Sequence, residues 1–209
     1  MTVSNFPIAA VGNDGGTISA TPQAVYANAA FDSASVTNTN DAALRTLSGG
    51  DFYIRYAHFR WDTSSIPDAD TVSAATLRMY LDTKQDTDNR NLQGDWHDFD
   101  VPTVGLGSED WVHDAPTANA FAEDITGLTD GANNTITLSN VAANISKTGF
   151  TGIRVGVSGG EPTGTNRFDI AMLEHATSDE AMLSVTHLPT FTPVTIRVVA
   201  QAAQRAATR

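Results

Sequence analysis

Residues 71–82, TVSAATLRMYLD, carry the clearest structural signal in this chain. Apolar side chains recur there at nearly every second position, at Val72, Ala75, Leu77, Met79 and Leu81. The residues that alternate with them are mostly polar: Thr76, Arg78, Tyr80 and Asp82. A period of two is the spacing of side chains on one face of a strand. The stretch therefore predicts a half-buried antiparallel strand.

A second long strand is predicted at residues 52–61, FYIRYAHFRW, with alternate residues on its two faces. One face would carry Tyr53, Arg55, Ala57, Phe59 and Trp61. Shorter strands are predicted at 24–27, 44–47, 135–138, 152–157, 167–171 and 181–188, a polar loop at 83–95 and a helical turn at 141–147. Seven or more short strands separated by turn signals indicate an all-β sandwich or barrel.

The composition fits one large all-β domain, or one domain with appended tails. The chain has 209 residues and is 41% hydrophobic, which is enough to bury a sizeable core. Threonine (27), serine (14) and asparagine (13) supply much of the polar surface and favour strands and turns. We divide the chain into an extended N-terminal arm (residues 1–23), a β-sandwich (24–188) and a C-terminal tail (189–209).

The net charge of −12 makes nucleic acids and anionic membranes poor partners, because both repel an acidic protein. The charge is uneven: residues 1–189 hold all 24 acidic residues but only 9 of the 12 basic ones. The tail therefore differs chemically from the body. We predict that the arm and the tail add strands or a helix to neighbouring chains and that the tail's arginines meet acidic surfaces, giving a homo-oligomer, with a trimer as a guess. The residues assigned to assembly are Val194, Ile196, Arg197, Val198, Arg205 and Arg209.

The sequence contains no cysteine, which excludes disulfides, thiolate metal sites and thiol nucleophiles. Residues 1–20 lack the pattern of a secretory signal, and no apolar run nears the roughly 18 residues of a membrane span. We therefore expect a protein made in the cytoplasm without a signal peptide and without a membrane partner.

The pattern GVSGG at residues 156–160 matches the G-x-S-x-G sequence of a nucleophile elbow. That motif needs a helix directly after the serine, and Glu161-Pro162 cannot begin one. A glycine-rich hairpin turn is the better interpretation. The five histidines lie far apart, without the spacing of metal ligands. We expect no enzyme activity and no resident cofactor.

Calcium is the one metal left open. Asp86, Asp88 and Asn89 begin like a calcium-binding loop. Arg90 stands where a third oxygen ligand belongs, and the twelfth position is His97 instead of glutamate, so the loop is not an EF-hand. A solvated acidic loop is the simpler interpretation of this stretch.

Two stretches resemble the DNRLRE-type domain family: residues 59–67, FRWDTSSIP, and residues 72–80, VSAATLRMY. Looser similarity extends to the tryptophan-containing residues 109–116 and to the pair 169–174 and 181–186. The resemblance covers about residues 24–188 and does not reach the tail. It implies a jelly-roll β-sandwich, related in shape to carbohydrate-binding modules and used for adhesion or assembly rather than catalysis.

Similar sandwiches occur in accessory structural proteins of tailed bacteriophages, as head decorations, head spikes or minor tail proteins. The resemblance therefore predicts a non-enzymatic virion protein on the particle exterior, with capsid or tail proteins as partners. The alternative is a carbohydrate-binding module that recognises cell-surface glycans. Its stacking platform would consist of Trp96, Trp111 and Tyr80, and burial of the two tryptophans would count against it.

Overall fold

The computed structural model describes residues 1–10, 12–38, 40–100, 105–175 and 180–190. Strands dominate these residues, with two single 3₁₀ turns at Tyr26–Asn28 and Ile125–Gly127. The strands and the one short helix are β1 (Thr2–Pro7), β2 (Asp14–Gln23), β3 (Ser33–Ser35), β4 (Asn40–Ser48), β5 (Asp51–Asp62), β6 (Thr71–Asp86), β7 (Asn91–Trp96), β8 (Phe121–Asp124), β9 (Ala132–Thr137), α1 (Val141–Asn144), β10 (Phe150–Val157), β11 (Asn166–Ala171) and β12 (Met182–Leu188).

The strands form one antiparallel sheet that curls into a half-barrel. Its main path runs β1-β12-β6-β11-β4-β5-β10-β7-β8, with β2 attached beside β5, β3 beside β2 and β9 beside β6. Strand β5 is the branch point. It pairs with β2 over residues 52–59, with β4 over 51–55 and with β10 over 57–62. Strand β2 therefore occupies one edge of β5, while β4 and then β10 share the other.

The main apolar core lies inside the curl. It includes Leu77 and Met79 of β6, Phe59 and Trp61 of β5, and Val155 of β10, all buried. The alternate residues of β5 face the opposite side of the sheet, where Ile54 and Tyr56 pack with Ala29 in a second, smaller cluster. Burial on both faces explains why apolar and aromatic side chains stand on both faces of residues 52–61.

A buried arginine closes the gap where β4 and β10 diverge along β5. Arg45 donates hydrogen bonds to the carbonyl oxygens of Val157 (3.3 Å) and His113 (3.0 Å) and to the hydroxyl of Tyr56 (3.0 Å). A buried guanidinium is tolerated when its N–H groups find acceptors in this way. The side chain ties the two wings of the curled sheet together.

The structure confirms the strands predicted around residues 44–47, 52–61, 71–82, 152–157, 167–171 and 181–188. It corrects two predictions. Residues 83–95 are not a loop, because β6 continues to Asp86 and β7 begins at Asn91. At the end of β6, exposed polar side chains alternate with half-buried ones, and the backbone pairs with β11. A strand with one solvent-exposed face tolerates such polar residues. Residues 24–27 contain the start of a 3₁₀ turn instead of a strand.

Residues 1–23 form β1 and β2, and both strands pair within this chain's own sheet. The predicted assembly residues Val194, Ile196, Arg197, Val198, Arg205 and Arg209 lie outside the described residues.

Candidate functional site

Strand β1 leaves one edge of the sheet open. In the part of the chain that the structure describes, β1 pairs only with β12, with Thr2 opposite His187 and Phe6 opposite Leu183. Its second row of backbone N–H and C=O groups therefore has no strand partner there. Such an edge is a template for pairing with another chain, and natural edges are usually protected by charged residues.

The exposed side of this edge carries no charged side chain and presents large apolar residues beside polar ones such as Asn5. Met1 and Val3 are 84% and 59% exposed, and the neighbouring Leu188 of β12 is 38% exposed. These are three of the four exposed large hydrophobic residues in the described residues. By contrast β8, at the other end of the strand path, carries Glu123 and Asp124. In a chain of net charge −12, the β1 edge is the candidate interaction surface.

A series of side-chain hydrogen bonds on the core-facing side anchors β1 to the sheet. The Ser4 Oγ lies 3.0 Å from His187 Nε2, and His187 Nδ1 lies 2.7 Å from Asp70 Oδ2. A carboxylate only accepts, so Nδ1 donates to Asp70, and in the neutral imidazole Nε2 then accepts the Ser4 hydroxyl proton. His187 and Asp70 are buried, and Lys147 Nζ holds the loop by donating to the Asp70 carbonyl oxygen at 3.0 Å.

Serine, histidine and aspartate stand here in the order of a hydrolytic triad. Ser4, however, lies within a regular strand, not on the turn of a nucleophile elbow. No ligand-sized cavity was found within the described ranges. The arrangement connects three distant segments, and we interpret it as the attachment of β1. Sequence reasoning missed these residues because 183 positions separate Ser4 from His187.

The three aromatic candidates for glycan stacking do not share one surface. Trp96 is half-buried against the main core, and its Nε1 donates to the Ser139 carbonyl oxygen at 3.0 Å. Trp111 is half-buried against the second cluster, on the opposite face of β5. Tyr80 lies on β6 beside His175, with 5.9 Å between ring centroids. A platform that combines both tryptophans is therefore not formed in this geometry.

In the predicted calcium loop, the carboxylates of Asp86 and Asp88 already accept hydrogen bonds from other groups of the protein. Both carboxylate oxygens of Asp86 accept from the backbone N–H of Arg90, at 3.0 and 2.8 Å. Asp88 accepts from the Arg90 Nε, from Thr163 and from Asn166. Burial acts to raise the pKa of Asp88, but the hydrogen bonds from Thr163 and Asn166 outweigh it and lower this pKa to about 2. These contacts link the β6–β7 turn to the turn before β11.

Asn89, the third calcium candidate, occupies the left-handed backbone region at φ 55° within that turn. Asparagine tolerates this conformation better than most residues. Across the described ranges, no three His, Asp or Glu side chains converge as a metal-binding group.

The serine of the GVSGG pattern also has a structural role. Ser158 Oγ accepts a hydrogen bond from the Asn91 N–H at 2.9 Å, and its carbonyl oxygen accepts from Arg90 Nη1 at 2.8 Å. A turn does follow β10, but the predicted hairpin is wrong, because β10 pairs with β5 and β7 whereas the next strand, β11, pairs with β4 and β6. Gly159 has φ +85°, a value that favours glycine.

A scan against protein-family models found no match for this sequence, and neither did a search of curated proteins. No helix within the described residues is long and apolar enough to cross a membrane.

Proposed function

We propose that this chain is a non-enzymatic structural protein that docks on a larger assembly through strand β1 and the segment after Thr190. The observation that carries the proposal is the open, uncharged β1 edge with Met1, Val3 and Leu188 exposed on it. An added strand gains affinity from backbone hydrogen bonds and register from alternate side chains. The exposed valine and its neighbours are the side chains that such a strand would cover.

The occupant we propose is the segment 194–199, VTIRVV, of a second copy. The described residues end at Thr190, directly after β12 and therefore beside β1. The 19 residues beyond it carry a charge of +3, whereas residues 1–189 carry −15, so the tail of one copy is attracted to the body of the next. Alternating apolar residues in the segment match the two-residue period of a strand.

The assembly we propose is the exterior of a tailed-bacteriophage particle, with this chain as a head decoration, head spike or minor tail protein. The resemblance of residues 59–80 to the DNRLRE-type domain supports this setting. The all-β curled sheet is compatible with it, and we propose that the finer arrangement of this sheet is a jelly-roll sandwich. The glycan-binding alternative gains no support from the separated positions of Trp96 and Trp111.

Replacing Val3 by lysine tests the edge. A charge on an open edge strand opposes strand addition, so we expect Val3→Lys to raise the apparent dissociation constant of the oligomer at least about tenfold. The mass of the full chain would be measured by light scattering over a range of concentrations. Val25→Lys is the matched control, because Val25 is 54% exposed and lies away from this edge.

Two outcomes would count against the docking proposal. One is a wild-type chain that stays monomeric at every concentration. The other is an oligomer that Val3→Lys and Val25→Lys weaken equally. If Val3→Lys leaves a monomer unchanged in mass but lowers its stability, the occupant of the edge is the tail of the same chain.

The virion setting has its own test. Antibodies raised against the chain should label the outer surface of intact purified phage particles in electron micrographs, and the chain should copurify with them in fixed proportion. Particles that contain none of the chain would remove this part of the proposal, while the edge experiment would still stand.

A further inference from the structure

Asp14, the first residue of β2, has a carboxylate that the fold only half satisfies. The residue is fully buried and lies opposite Phe59 of β5. Its Oδ2 accepts a hydrogen bond from the Leu173 N–H at 2.7 Å, whereas its Oδ1 is buried and has no hydrogen-bond partner. Buried carboxylate oxygens are nearly always paired, so an orphan oxygen at this position calls for an explanation.

Glu174 adds a second unsatisfied carboxylate beside the first. It follows Leu173, whose N–H binds Asp14, and its charge and that of Asp14 are close enough to repel each other. Both of its carboxylate oxygens are buried without a hydrogen-bond partner. Three buried carboxylate oxygens on these two side chains therefore lack a hydrogen-bond donor.

Arg55, on the neighbouring strand β5, serves a different carboxylate. Arg55 Nη1 faces Asp41 Oδ1 at 3.5 Å. The carboxylate of Asp41 also accepts from the Ala42 N–H (2.8 Å) and the Asn38 Nδ2 (3.1 Å), so it is satisfied within the chain. Asp41 lies against Gly16, where a Cβ atom would come within 2.0 Å of its carboxylate, and so adds further negative charge near Asp14.

We infer that Asp14 and Glu174 bind a divalent cation of the calcium class. The donors are hard oxygens, which calcium and magnesium prefer to nitrogen or sulfur. Calcium takes six to eight oxygen ligands and readily combines carboxylates with backbone carbonyl groups and water. Two carboxylates are therefore sufficient side-chain ligands. The ion would fasten the segment after β11 to the start of β2.

Thermal unfolding of the full chain tests the site. Protein freed of metal with a chelator would be melted at pH 7.5 alone, with 1 mM calcium and with 1 mM magnesium. We expect calcium to raise the Tm by about 5 °C, and magnesium to raise it less. Calorimetric titration should give one calcium ion per chain. Asp14→Asn and Glu174→Gln should each abolish the shift.

Asp88→Asn is the matched control, because it removes an acidic residue of the sequence-predicted calcium loop and should keep the full shift. A Tm that does not respond to calcium in the wild-type chain overturns the inference. So does a shift that survives in both Asp14→Asn and Glu174→Gln. If Asp14→Asn stabilises the chain and calcium has no effect, the two carboxyl groups share a proton and hold no metal.

Discussion

His58 is a fully buried histidine with one hydrogen bond. Its Nε2 lies 2.9 Å from the Thr17 hydroxyl, while its Nδ1 has no partner. Burial, followed by the nearby His97 and Arg154, lowers the pKa of His58 well below its usual value of 6.5. His97 is in turn 2.6 Å from Asp110, and Arg154 binds Asp95 through two hydrogen bonds. The imidazole is therefore held neutral in the folded chain.

Acidification should destabilise the fold through His58. Above about pH 6.5 the residue is neutral in both states and contributes no pH dependence. As the pH falls through that value, the unfolded chain gains a proton that the folded chain refuses, so the unfolding free energy drops. Asp14 acts in the opposite direction, because burial raises its pKa to about 7 and its folded form gains a proton on acidification.

The two effects can be separated with His58→Gln, which keeps a donor for Thr17 and does not titrate. Unfolding free energies of wild type and variant would be compared from pH 7.5 to pH 5. The unfolding free energy of the variant should lie furthest below that of the wild type at pH 7.5, and this difference should shrink steadily toward pH 5. A difference that stays constant would show that His58 takes up its proton in the folded state.

At the scale of elements, the Ser4–His187–Asp70 hydrogen bonds add a side-chain attachment to the backbone ladder that joins β1 to β12. Phe6 packs in the core, but Met1 and Val3 are exposed, so few apolar contacts hold the strand. Ser4→Ala removes the hydrogen bond to His187, worth about 1 kcal/mol. Amide exchange in β1 should then accelerate about fivefold, while exchange in β5 stays unchanged.

Ser64→Ala is a suitable control for that experiment, since the Ser64 hydroxyl is exposed and bonds only locally, to Asp62 at 2.6 Å. Equal exchange in β1 for Ser4→Ala and wild type would mean that the backbone ladder with β12 alone holds the strand. Such a result would leave the docking edge intact and remove the role assigned to Ser4, His187 and Asp70.

At the scale of the whole molecule, alternation predicted the strands and could not predict their arrangement. Residues 71–82 signal a strand because one face of β6 is wet and the other is buried. The same strand continues through Thr83 and Lys84, where polar side chains hide the signal. The insertion of β2 beside β5 was equally hidden, since Asp14, Gly15 and Gly16 at its start lack the apolar alternation of a strand.

The candidate site was predictable only in part. The first charged residue of the chain is Asp14, so an uncharged N-terminal segment is visible in the sequence. That this segment lies at an open edge follows only from its pairing with β12. Likewise, the hydrogen bond from the Leu173 N–H to Asp14 brings Glu174 near a residue 160 positions earlier in the chain, which no local spacing encodes.

The pairing of β1 with β12 also has a consequence for synthesis on the ribosome. Strand β1 is made about 180 residues before β12, the strand that pairs with it. At a synthesis rate of 5–20 residues per second, roughly 10–40 s pass between the synthesis of Phe6 and Ile8, which are buried in the folded chain, and the synthesis of β12. The nascent chain thus carries an apolar, unpaired segment until β12 has been made. On crowded polysomes, neighbouring nascent chains could pair through it before any of them is complete.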